Sequence, residues 1–293
     1  MDESLERLVE HDRNFARRSD SMANRRRHRP VAMRVLPARI AGSLFDRYYC
    51  ARREQWGHLY REASLRAAPG ISMELVPGDR VSDLIAFTGV HEADVTLTRR
   101  VTKLARKGGT MIDIGANLGY FSLLWAAGQA SNRCIAFEVA PRNLQILGRN
   151  VTRNGMSEQI RIVPLAASDR SGPVLFDLGP EDQTGWGGIA QASGERQIEV
   201  EAVRLDEVVA ADEKIALLKV DVEGADAWAL MGCERLLAAK TIEEIWFEQN
   251  KPRMELLGIP LTAAQDYLES IGYRCTPHDD PGGGLVQWSA VRG

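Results

Sequence analysis

The chain has 293 residues, 44% of them hydrophobic and 26% charged, which are ordinary values for a soluble globular protein. A formal charge of −3 at pH 7 excludes a protein that binds polyanions through its overall charge. The charge is uneven, because residues 1–70 hold 15 arginines against 9 acids, a balance of +6 that leaves −9 for the remainder. This division predicts two parts with different roles, or one part that docks on the other.

Targeting signals and cysteine spacing both favour a cytoplasmic protein. No stretch approaches the roughly 18–20 apolar residues that span a bilayer, and the acidic start MDESLERLVEHD lacks a signal-peptide core. The four cysteines (Cys50, Cys134, Cys233 and Cys275) lie far apart without a CxxC pair. We therefore expect reduced, mostly buried thiols and neither a zinc site nor a disulfide framework.

Residues 1–70 are predicted to form an arginine-rich, largely helical N-terminal extension. The run RRRHRP at 25–30 could contact RNA or acidic lipid, but such a run is more often a solvated tail, so we do not expect nucleic acid as a partner. Residues 37–66 have the pattern of a helix, since Pro37 suits a first turn and Pro69-Gly70 closes the segment.

Aromatic residues crowd into this predicted helix. They are Phe45, Tyr48, Tyr49, Trp56 and Tyr60. We interpret them as a stripe that packs on the main domain or on a second subunit, which makes a homodimer through the N-terminal helices one candidate arrangement. The alternative is that they form one wall of a substrate pocket.

From residue 71 onward, predicted strands alternate with predicted helices. ISMEL and RVSDLIAF are predicted to form a hairpin around Pro77-Gly78, followed by a helix over 91–107. The later strands are TMIDIG, RCIAFE, QIRIVPLAAS, IALLKVD and EEIWFE, and the later helices end near 129, run from 141 to 154, and cover 223–238 and 262–270. GYRCTP and LVQWSAV close the chain without a helix between them.

This alternation predicts an α/β fold of the Rossmann-like, doubly wound kind. The sheet is expected to be mostly parallel and seven-stranded, with an antiparallel C-terminal hairpin at one edge. It would occupy residues 71–293.

Residues 171–204 interrupt the alternation. They contain SGPVLF, the glycine-rich EDQTGWGGIAQASGER and QIEVEAVRL, which together predict an inserted β-hairpin with a mobile loop between its arms. Loops longer than about 12–15 residues are uncommon in compact domains unless they are functional. Trp186 in this loop is either a substrate contact or a packing residue.

Carboxylates stand at or near the ends of the predicted strands. The strand ends read Asp113-Ile114-Gly115, Glu138, Ala167-Ser168-Asp169, Asp221-Val222-Glu223 and Glu248-Gln249-Asn250. In an open α/β sheet, ligands bind beyond the carboxyl ends of the strands, near the point where strand order reverses. Core packing does not require charged groups there, and buried unpaired carboxylates are costly. The pattern therefore predicts a polar ligand pocket.

The first of these ends, MIDIGANLGYFSL at 111–123, reads as a strand, a glycine turn and a helix. It fails as a GxGxxG dinucleotide turn, because Asn117 and Tyr120 stand where the second and third glycines would be. Asp113 before the turn opposes a pyrophosphate and favours a ligand with positive charge. Glu138 ends the next strand, where a carboxylate can accept hydrogen bonds from both ribose hydroxyls. A positively charged nucleoside indicates S-adenosylmethionine.

Four segments in this order resemble the FkbM-type methyltransferase family, over roughly residues 80–290. They are MIDIGANLGYFSL, FEVAPRNLQILGRNVTRNG, AASDRSG and LLKVDVEGADAWALMGCERLL. The resemblance implies an S-adenosylmethionine-dependent enzyme of the class I methyltransferase fold. Asp113, Gly115 and Asn117 would then line the methionine part of the cofactor, Glu138 would hold the ribose, and Ala167, Ser168 and Asp169 would lie near the adenine.

The cofactor-binding residues implied in this way form a longer set. They are Asp113, Gly115, Ala116, Asn117, Gly119, Tyr120, Glu138, Ala167, Ser168 and Asp221. The sequence departs from the family pattern at Val139-Ala140, where members often have proline directly after the acid. The proline comes at Pro141 instead, which shifts the helix entry only slightly.

Catalytic candidates lie at the ends of the fourth and fifth strands. Methyl transfer to a hydroxyl needs a general base, and Asp221, Glu223 or Glu248 is expected at the catalytic position. Asp221 could instead contact the ammonium group of the cofactor, and Glu223 could simply open the following helix. Lys219 could pair with one of these acids.

Two further interpretations concern the same region. Magnesium bound by Asp221, Glu248 and Asn250 beside a hydroxyl substrate is an alternative that we disfavour, so no metal site is assigned. His278 in CTPHDD is another candidate base, although a lone loop histidine is more often incidental.

The resulting hypothesis is a methyltransferase that acts on a hydroxyl of a sugar, glycan or secondary metabolite, as expected for natural product biosynthesis. The resemblance supplies the preference for oxygen and the acceptor class. The alternatives are an N-methyltransferase of a peptide, RNA or small amine, and a non-catalytic cofactor-binding or scaffold protein. DVEG at the end of the fourth strand differs from the Asn/Asp-Pro-Pro-aromatic sequence of many amino-methylating enzymes, which counts against base methylation.

Overall fold

The computed structural model describes residues 61–91, 95–191, 194–278 and 284–293. The chain divides into two compact units, Met1–Val95 and Thr96–Gly293. The predictions for the arginine run, for the aromatic residues at 45–60 and for a homodimer lie outside the described residues. The helix predicted over 37–66 is wrong at its end, because Glu62–Ser64 forms a strand. The boundary between an extension and a main domain at residue 70 stays a prediction.

In the first unit, a small hairpin precedes a helix. Strand β1 (Glu62–Ser64) pairs antiparallel with β2 (Ser72–Glu74), and helix α1 covers Arg80–Thr88. The prediction that RVSDLIAF forms the second arm of a hairpin is therefore wrong. The helix is fixed at its start by Asp79, whose carboxylate accepts the Ser82 N–H at 2.8 Å, and at its end by the left-handed Gly89.

The second unit is built on a seven-stranded sheet. Its strands are β3 (Thr110–Ile114), β4 (Arg133–Phe137), β5 (Ile160–Val163), β10 (Ile215–Val220), β11 (Glu244–Asn250), β12 (Tyr273–Pro277) and β13 (Leu285–Arg292). They lie in the order β12-β13-β11-β10-β3-β4-β5. All are parallel except β13, which runs antiparallel to both of its neighbours. The predicted fold class is confirmed, including the closing hairpin.

The order of these strands places a ligand pocket at one position. The chain leaves β3 toward β4 and β5, and returns on the other side of β3 to form β10 and β11. Strand order therefore reverses between β3 and β10, and ligands of such sheets bind beyond the carboxyl ends at that point. Strand β3 is buried along its whole length, as is typical of a parallel strand covered on both faces.

Helices cover this sheet. They are α2 (Val95–Ala105), α3 (Tyr120–Gly128), α4 (Pro141–Arg153), α5 (Leu205–Val208), α6 (Asp226–Met231), α7 (Glu234–Ala238), α8 (Lys251–Leu257) and α9 (Ala263–Ser270). The single helix predicted over 223–238 is wrong, because it starts at Asp226 and is divided between α6 and α7. The backbone of Cys233 leaves the helical region there, with ψ at 19°. Helix α8 was not predicted, and it begins where Asn250 caps it.

A second, four-stranded sheet holds the insertion. Strands β6 (Ala166–Ala167), β7 (Gly172–Asp177), β8 (Gly188–Ile189) and β9 (Gln197–Val203) lie in the order β6-β9-β7-β8. Strands β7 and β9 pair antiparallel, where the sequence predicts a hairpin. QIRIVPLAAS was predicted as one strand and forms two, β5 and β6. Pro164 separates them because it has no N–H to donate to the ladder.

Two further features of the described residues are their thiols and the length of their apolar helices. Cys134, Cys233 and Cys275 carry free thiols, and burial raises the pKa of the Cys134 and Cys233 thiols. Within the described ranges, no helix is both long and apolar enough to cross a membrane.

Candidate functional site

The glycine turn after β3 is shaped by its close contact with the end of β10. Gly115 and Asn117 have left-handed backbones, with φ of 75° and 51°. A Cβ on Gly115 would lie 1.9 Å from the carbonyl oxygen of Asp221, so no other residue fits between the two strand ends. The Gly115 N–H donates to the Phe137 carbonyl at 3.0 Å, which ties the turn to β4 as well.

A buried ion pair lies beneath this turn. Asp113 is 0% exposed, accepts the Ser122 hydroxyl at 2.7 Å and pairs with the ammonium group of Lys219 at 3.3 Å. Lys219 also pairs with Asp221 at 3.5 Å and donates to the Gly115 carbonyl at 3.1 Å. The pairing expected for Lys219 is therefore present with two acids. The Asp113 side chain is enclosed, so it supports the turn from below.

Glu138 is held by backbone donors at the end of β4. Its Oε2 accepts the Asn117 N–H at 2.8 Å, and its Oε1 accepts the N–H groups of Val139 and Ala140 at 2.9 and 2.8 Å. Burial raises the pKa of this carboxyl group, while the three N–H donors oppose that rise. Val139 and Ala140 are the positions where the sequence departs from the family pattern. Their backbone N–H groups both fix the Glu138 carboxylate.

Two amide oxygens near this carboxylate have no hydrogen-bond partner among the described residues. They are Oδ1 of Asn117 and Oδ1 of Asn143. The Asn143 side chain is 3% exposed, and its Nδ2 donates to the Thr184 carbonyl at 3.0 Å. Buried acceptors normally have a donor, so these two fit a ligand that carries hydroxyl or amino groups. Asn143 was not singled out from the sequence, because an asparagine in a first helical turn resembles an ordinary helix residue.

The residues expected near an adenine lie in the second sheet. Ser168 is 2% exposed, its N–H donates to the Val203 carbonyl at 3.0 Å, and its hydroxyl lies 3.1 Å from Asp169 Oδ1. Its carbonyl oxygen would be 2.1 Å from a Cβ on Gly232. These contacts fix the stretch from Ala167 to Asp169, and its place beside a nucleoside stays a prediction.

Other predicted cofactor residues serve the turn itself. Ala116 is buried and its N–H donates to the Phe137 carbonyl at 2.9 Å, while Gly119, at φ 94°, begins helix α3. Tyr120 is 4% exposed, and its hydroxyl lies 3.3 Å from that of Thr98. The Tyr120 hydroxyl therefore contacts helix α2.

Three carboxylates converge beyond the ends of β10 and β11. Asp221, Glu223 and Glu248 each offer an oxygen, and these atoms all lie within 4.8 Å of one another. We call this set the acid cluster. It contains the three residues predicted to be catalytic, and it brings together the ends of the two strands that carry them.

Glu223 does not open a helix, contrary to one interpretation of the sequence. Its backbone is left-handed at φ 54°, and α6 begins at Asp226. The Asn250 amide donates to Glu223 Oε2 at 2.6 Å, while the Asn250 oxygen caps α8 through the Arg253 N–H at 3.3 Å. Asn250 therefore links Glu223 to the start of α8, and magnesium bound by Asp221, Glu248 and Asn250 stays a disfavoured alternative.

Crowding changes the protonation of the acids. Burial and the neighbouring charge of Asp221 raise the pKa of Glu223 to about 8, and the charge of Arg253 opposes the rise. Burial and Asp221 also raise the pKa of Asp226 to about 7. Carboxylates this close need a shared proton or a bound cation to neutralise them.

Asp226 and Arg253 belong to the site but were missed in the sequence. The Asp226 carboxylate is 1% exposed and accepts the Val222 N–H at 3.3 Å and the Glu248 N–H at 3.0 Å, which joins the ends of β10 and β11. Arg253 donates from Nε to the Glu223 carbonyl at 3.4 Å. A second acid three positions after Glu223 was the available signal for Asp226.

The insertion contributes residues 181–188, which we call the insertion segment. At one end, Arg142 donates to the Glu181 carbonyl at 2.7 Å, close to the Asn143–Thr184 bond. At the other end, Arg253 donates to the Trp186 carbonyl at 3.2 Å, and a Cβ on Gly188 would lie 3.2 Å from the Glu223 Cβ. The segment therefore runs from the start of α4 to the acid cluster. The Trp186 side chain on it is 51% exposed.

His278 lies on the C-terminal hairpin. Its ring stacks on Trp246 with centroids 4.5 Å apart, and its Nε2 lies 2.7 Å from the Ser289 hydroxyl. These contacts account for the residue as part of the edge of the sheet. Its role as a base stays a prediction.

Known proteins resemble this chain over much of its length. A sequence model described as the methyltransferase FkbM domain matches residues 113–275, which is more than half of the chain. Methyltransferase sdnD of Sordaria araneosa is 28% identical over 182 residues, covering 50% of this chain and 70% of that protein.

Two solved structures align with parts of this chain. The methyltransferase FkbM from Methylobacillus flagellatus KT is 15% identical with a TM-score of 0.45, and the match covers 83% of this chain but only 59% of that one. An O-methyltransferase from Bacillus cereus in complex with SAH is 12% identical with a TM-score of 0.39, covering 66% of this chain and 81% of that one. The architecture of the chain is therefore assigned from its own strand order.

Proposed function

Because the chain belongs to the FkbM methyltransferase family, we propose that it transfers a methyl group from S-adenosylmethionine to a hydroxyl of a small-molecule or glycan acceptor. One observation carries the cofactor part of this proposal. The Glu138 carboxylate is fixed by three backbone N–H donors beside the glycine turn, which orient its oxygens as acceptors. A ribose, with two neighbouring hydroxyls, matches such an acceptor.

The cofactor fits the residues around the turn. Gly115 and Asn117 would lie along its methionine part, and Glu138 would hold the ribose. The unpaired Asn117 oxygen supports this fit, because a buried acceptor calls for a donor such as the cofactor's ammonium group. When bound, the cofactor supplies an electrophilic methyl group on a sulfonium. Alignment of the acceptor with that carbon contributes much of the rate of such a displacement.

We assign the role of general base to Glu223. An alcohol is a weak nucleophile at neutral pH, so its proton must move to a nearby group as the new bond forms. The ionised carboxylate of Glu223 would accept it, and because its pKa is raised to about 8 it is a stronger base than an ordinary carboxylate. Asp221 helps to set that pKa through its charge, and the ion pair with Lys219 holds Asp221 in place.

The remaining groups of the acid cluster would orient the acceptor. Glu248 accepts from the Gln287 amide at 3.0 Å and could also accept from a substrate hydroxyl. The insertion segment lies beside Glu223, so its exposed Trp186 ring is a candidate wall for the acceptor.

The free thiols of the described cysteines support the cytoplasm as the compartment.

Two measurements test the proposed function. Isothermal titration calorimetry should show that the full chain binds S-adenosylmethionine and S-adenosylhomocysteine, and binding of neither would overturn it. Formation of S-adenosylhomocysteine is then measured with matched panels of hydroxyl and amine acceptors. Turnover with hydroxyl acceptors is expected, and turnover with amines alone would overturn the assignment to oxygen.

A further inference from the structure

We propose that Asn143 is a further cofactor-binding residue, whose amide oxygen accepts a hydrogen bond from a ribose hydroxyl. This inference rests on the proposed function, since it names one more residue of the same pocket. It also gives the insertion a part in cofactor binding, because the insertion orients this side chain.

The Asn143 amide has a fixed orientation. It is the third residue of α4 and is 3% exposed. Its Nδ2 donates to the Thr184 carbonyl at 3.0 Å, and its side chain favours the ionised form of the neighbouring Glu138 carboxylate. Rotating the amide to hide its oxygen would break the bond to Thr184.

An unpaired amide oxygen does not by itself mark a ligand site. Asn132 also has an Oδ1 without a hydrogen-bond partner among the described residues. Its Nδ2 donates to the carbonyls of Ala105 and Trp125 at 2.9 and 2.7 Å. It precedes β4, however, and so lies at the amino end of the sheet, where ligands of this fold do not bind.

Asn143 differs from Asn132 in what surrounds its oxygen. It lies at the carboxyl end of the sheet and contacts Glu138, whose Oε2 accepts the N–H of Asn117. Within the described ranges, the Asn143 oxygen is therefore an unpaired acceptor beside the carboxylate proposed to hold the ribose. One of the two adjacent ribose hydroxyls would supply the donor that this oxygen lacks.

The insertion sets this arrangement through a single carbonyl. Thr184 belongs to the insertion segment, and its oxygen engages the Asn143 amide so that Oδ1 is left for the ligand. The Arg142 bond to the Glu181 carbonyl at 2.7 Å holds the same stretch against the start of α4. The insertion therefore acts on the ribose through Asn143 and without a contact of its own.

The test uses S-adenosylhomocysteine and the full chain, with calorimetry and thermal unfolding. Asn143→Leu is expected to weaken binding about 5- to 10-fold, the effect of one hydrogen bond. Asn132→Leu is the matched control, since it removes an equally buried amide at the opposite end of the sheet. It should lower the unfolding temperature without changing affinity. If Asn143→Leu does not fold, Asn143→Ser serves in its place, with the same expectation.

Ligand analogues identify the bonded group. The 2′-deoxy and 3′-deoxy analogues of S-adenosylhomocysteine and S-inosylhomocysteine are compared in the wild type and the Asn143 variant. With one of the two deoxy analogues, the loss of affinity caused by the Asn143 substitution and the loss caused by the missing hydroxyl should not add. With S-inosylhomocysteine, the two losses of affinity should add. Unchanged affinity of the variants, or additive losses with both deoxy analogues, would overturn the inference. Failure of the wild type to bind S-adenosylhomocysteine would instead overturn the proposed function.

Discussion

The two ends of the site use carboxylates in opposite ways. At the end of β4, a single acid, Glu138, is surrounded by three backbone N–H donors. At the ends of β10 and β11, three acids lie within 4.8 Å of one another, with Lys219 and Arg253 as the cations that act on them. The first arrangement gives a fixed acceptor. The second gives a set of groups that share protons.

The surroundings of a carboxylate therefore decide which role it can take in the site. Backbone donors compensate the burial of Glu138 and orient its oxygens, which suits recognition of a ligand. Burial and the charge of Asp221 instead raise the pKa of Glu223 to about 8, which suits a group that takes and gives a proton. Lys219 stands between the two ends, since it pairs with Asp113 under the turn and with Asp221 in the acid cluster.

The largest effect is expected from Lys219→Met, which removes the cation that links the two ends. It leaves Asp113 buried without its ion-pair partner, so the free energy of unfolding should fall by about 3–5 kcal/mol. Urea denaturation measures this value. Adding Asp113→Asn to the same protein should recover part of the loss.

The matched control for this change is Lys214→Met. Lys214 is exposed and stands just before β10, so its loss should change the free energy of unfolding by less than about 0.5 kcal/mol. An equal effect of the two substitutions would show that the buried ion pair does not support the turn.

The next effect concerns the fixed acceptor. Glu138→Ala should weaken binding of S-adenosylhomocysteine by at least about 100-fold, because a charged acceptor of two hydrogen bonds is lost. Calorimetry measures the affinity. Glu244→Gln is the control, since Glu244 is also buried but pairs with Arg100 at 2.7 Å at the opposite end of the sheet. It should lower stability and leave affinity unchanged, and a similar loss in both variants would refute the ribose assignment.

A smaller effect should appear in the stability of the acid cluster. The folded-state pKa of Glu223, about 8, lies above its ordinary value of 4.5, so the folded protein binds the proton more tightly than the unfolded chain. The stability contributed by this proton is complete below about pH 4.5 and is lost as pH rises toward and through 8. Glu223→Gln abolishes that loss. It should raise the free energy of unfolding at pH 8.5 by about 1–3 kcal/mol and change it little at pH 5.

Two comparisons support the interpretation of that measurement. Glu255→Gln, on the exposed side of α8, should have little effect at either pH. Asp221→Asn removes a charge that raises the pKa of Glu223, so the pH at which stability falls should move downward. A pH-independent effect of Glu223→Gln would contradict a shared proton.

The smallest effect distinguishes a proton from a cation in the acid cluster. If the proton on Glu223 neutralises the set, 1 mM Mg²⁺ should shift the unfolding temperature at pH 6.5, where this proton is bound, by less than about 1 °C. Differential scanning calorimetry with and without a chelator measures this shift. A stabilisation of several degrees that disappears in Glu223→Gln would identify the acid cluster as a metal site.

The parallel core was predictable from the sequence, and the contacts of single side chains were not. Runs such as IALLKVD are short, almost continuously apolar and followed by polar residues, and their length favours a buried strand over a helix. RVSDLIAF has no such clear pattern, and its helix depends on the cap at Asp79, which the predicted hairpin overlooked. Pro164 divides what looked like one strand.

Within the site, residues at strand ends could be placed because the fold brings those ends together. The set formed by Asp221, Glu223 and Glu248 follows from that rule. Asp226 and Asn143 could not be assigned, because their roles depend on backbone and side-chain groups of β11 and of the insertion that lie far away in sequence. Neither distance nor direction between such groups is encoded locally.

The insertion segment has a consequence for the order of events during turnover. One of its carbonyls accepts a hydrogen bond from Asn143, and another accepts one from Arg253. The free-energy cost of ordering its eight residues is therefore shared by the ribose end and the acid-cluster end of the site. A ligand that orders the segment at the ribose would lower that cost for a ligand at the acid cluster. Cofactor and acceptor should therefore bind with positive cooperativity. By linkage, each should raise the affinity for the other by the same factor.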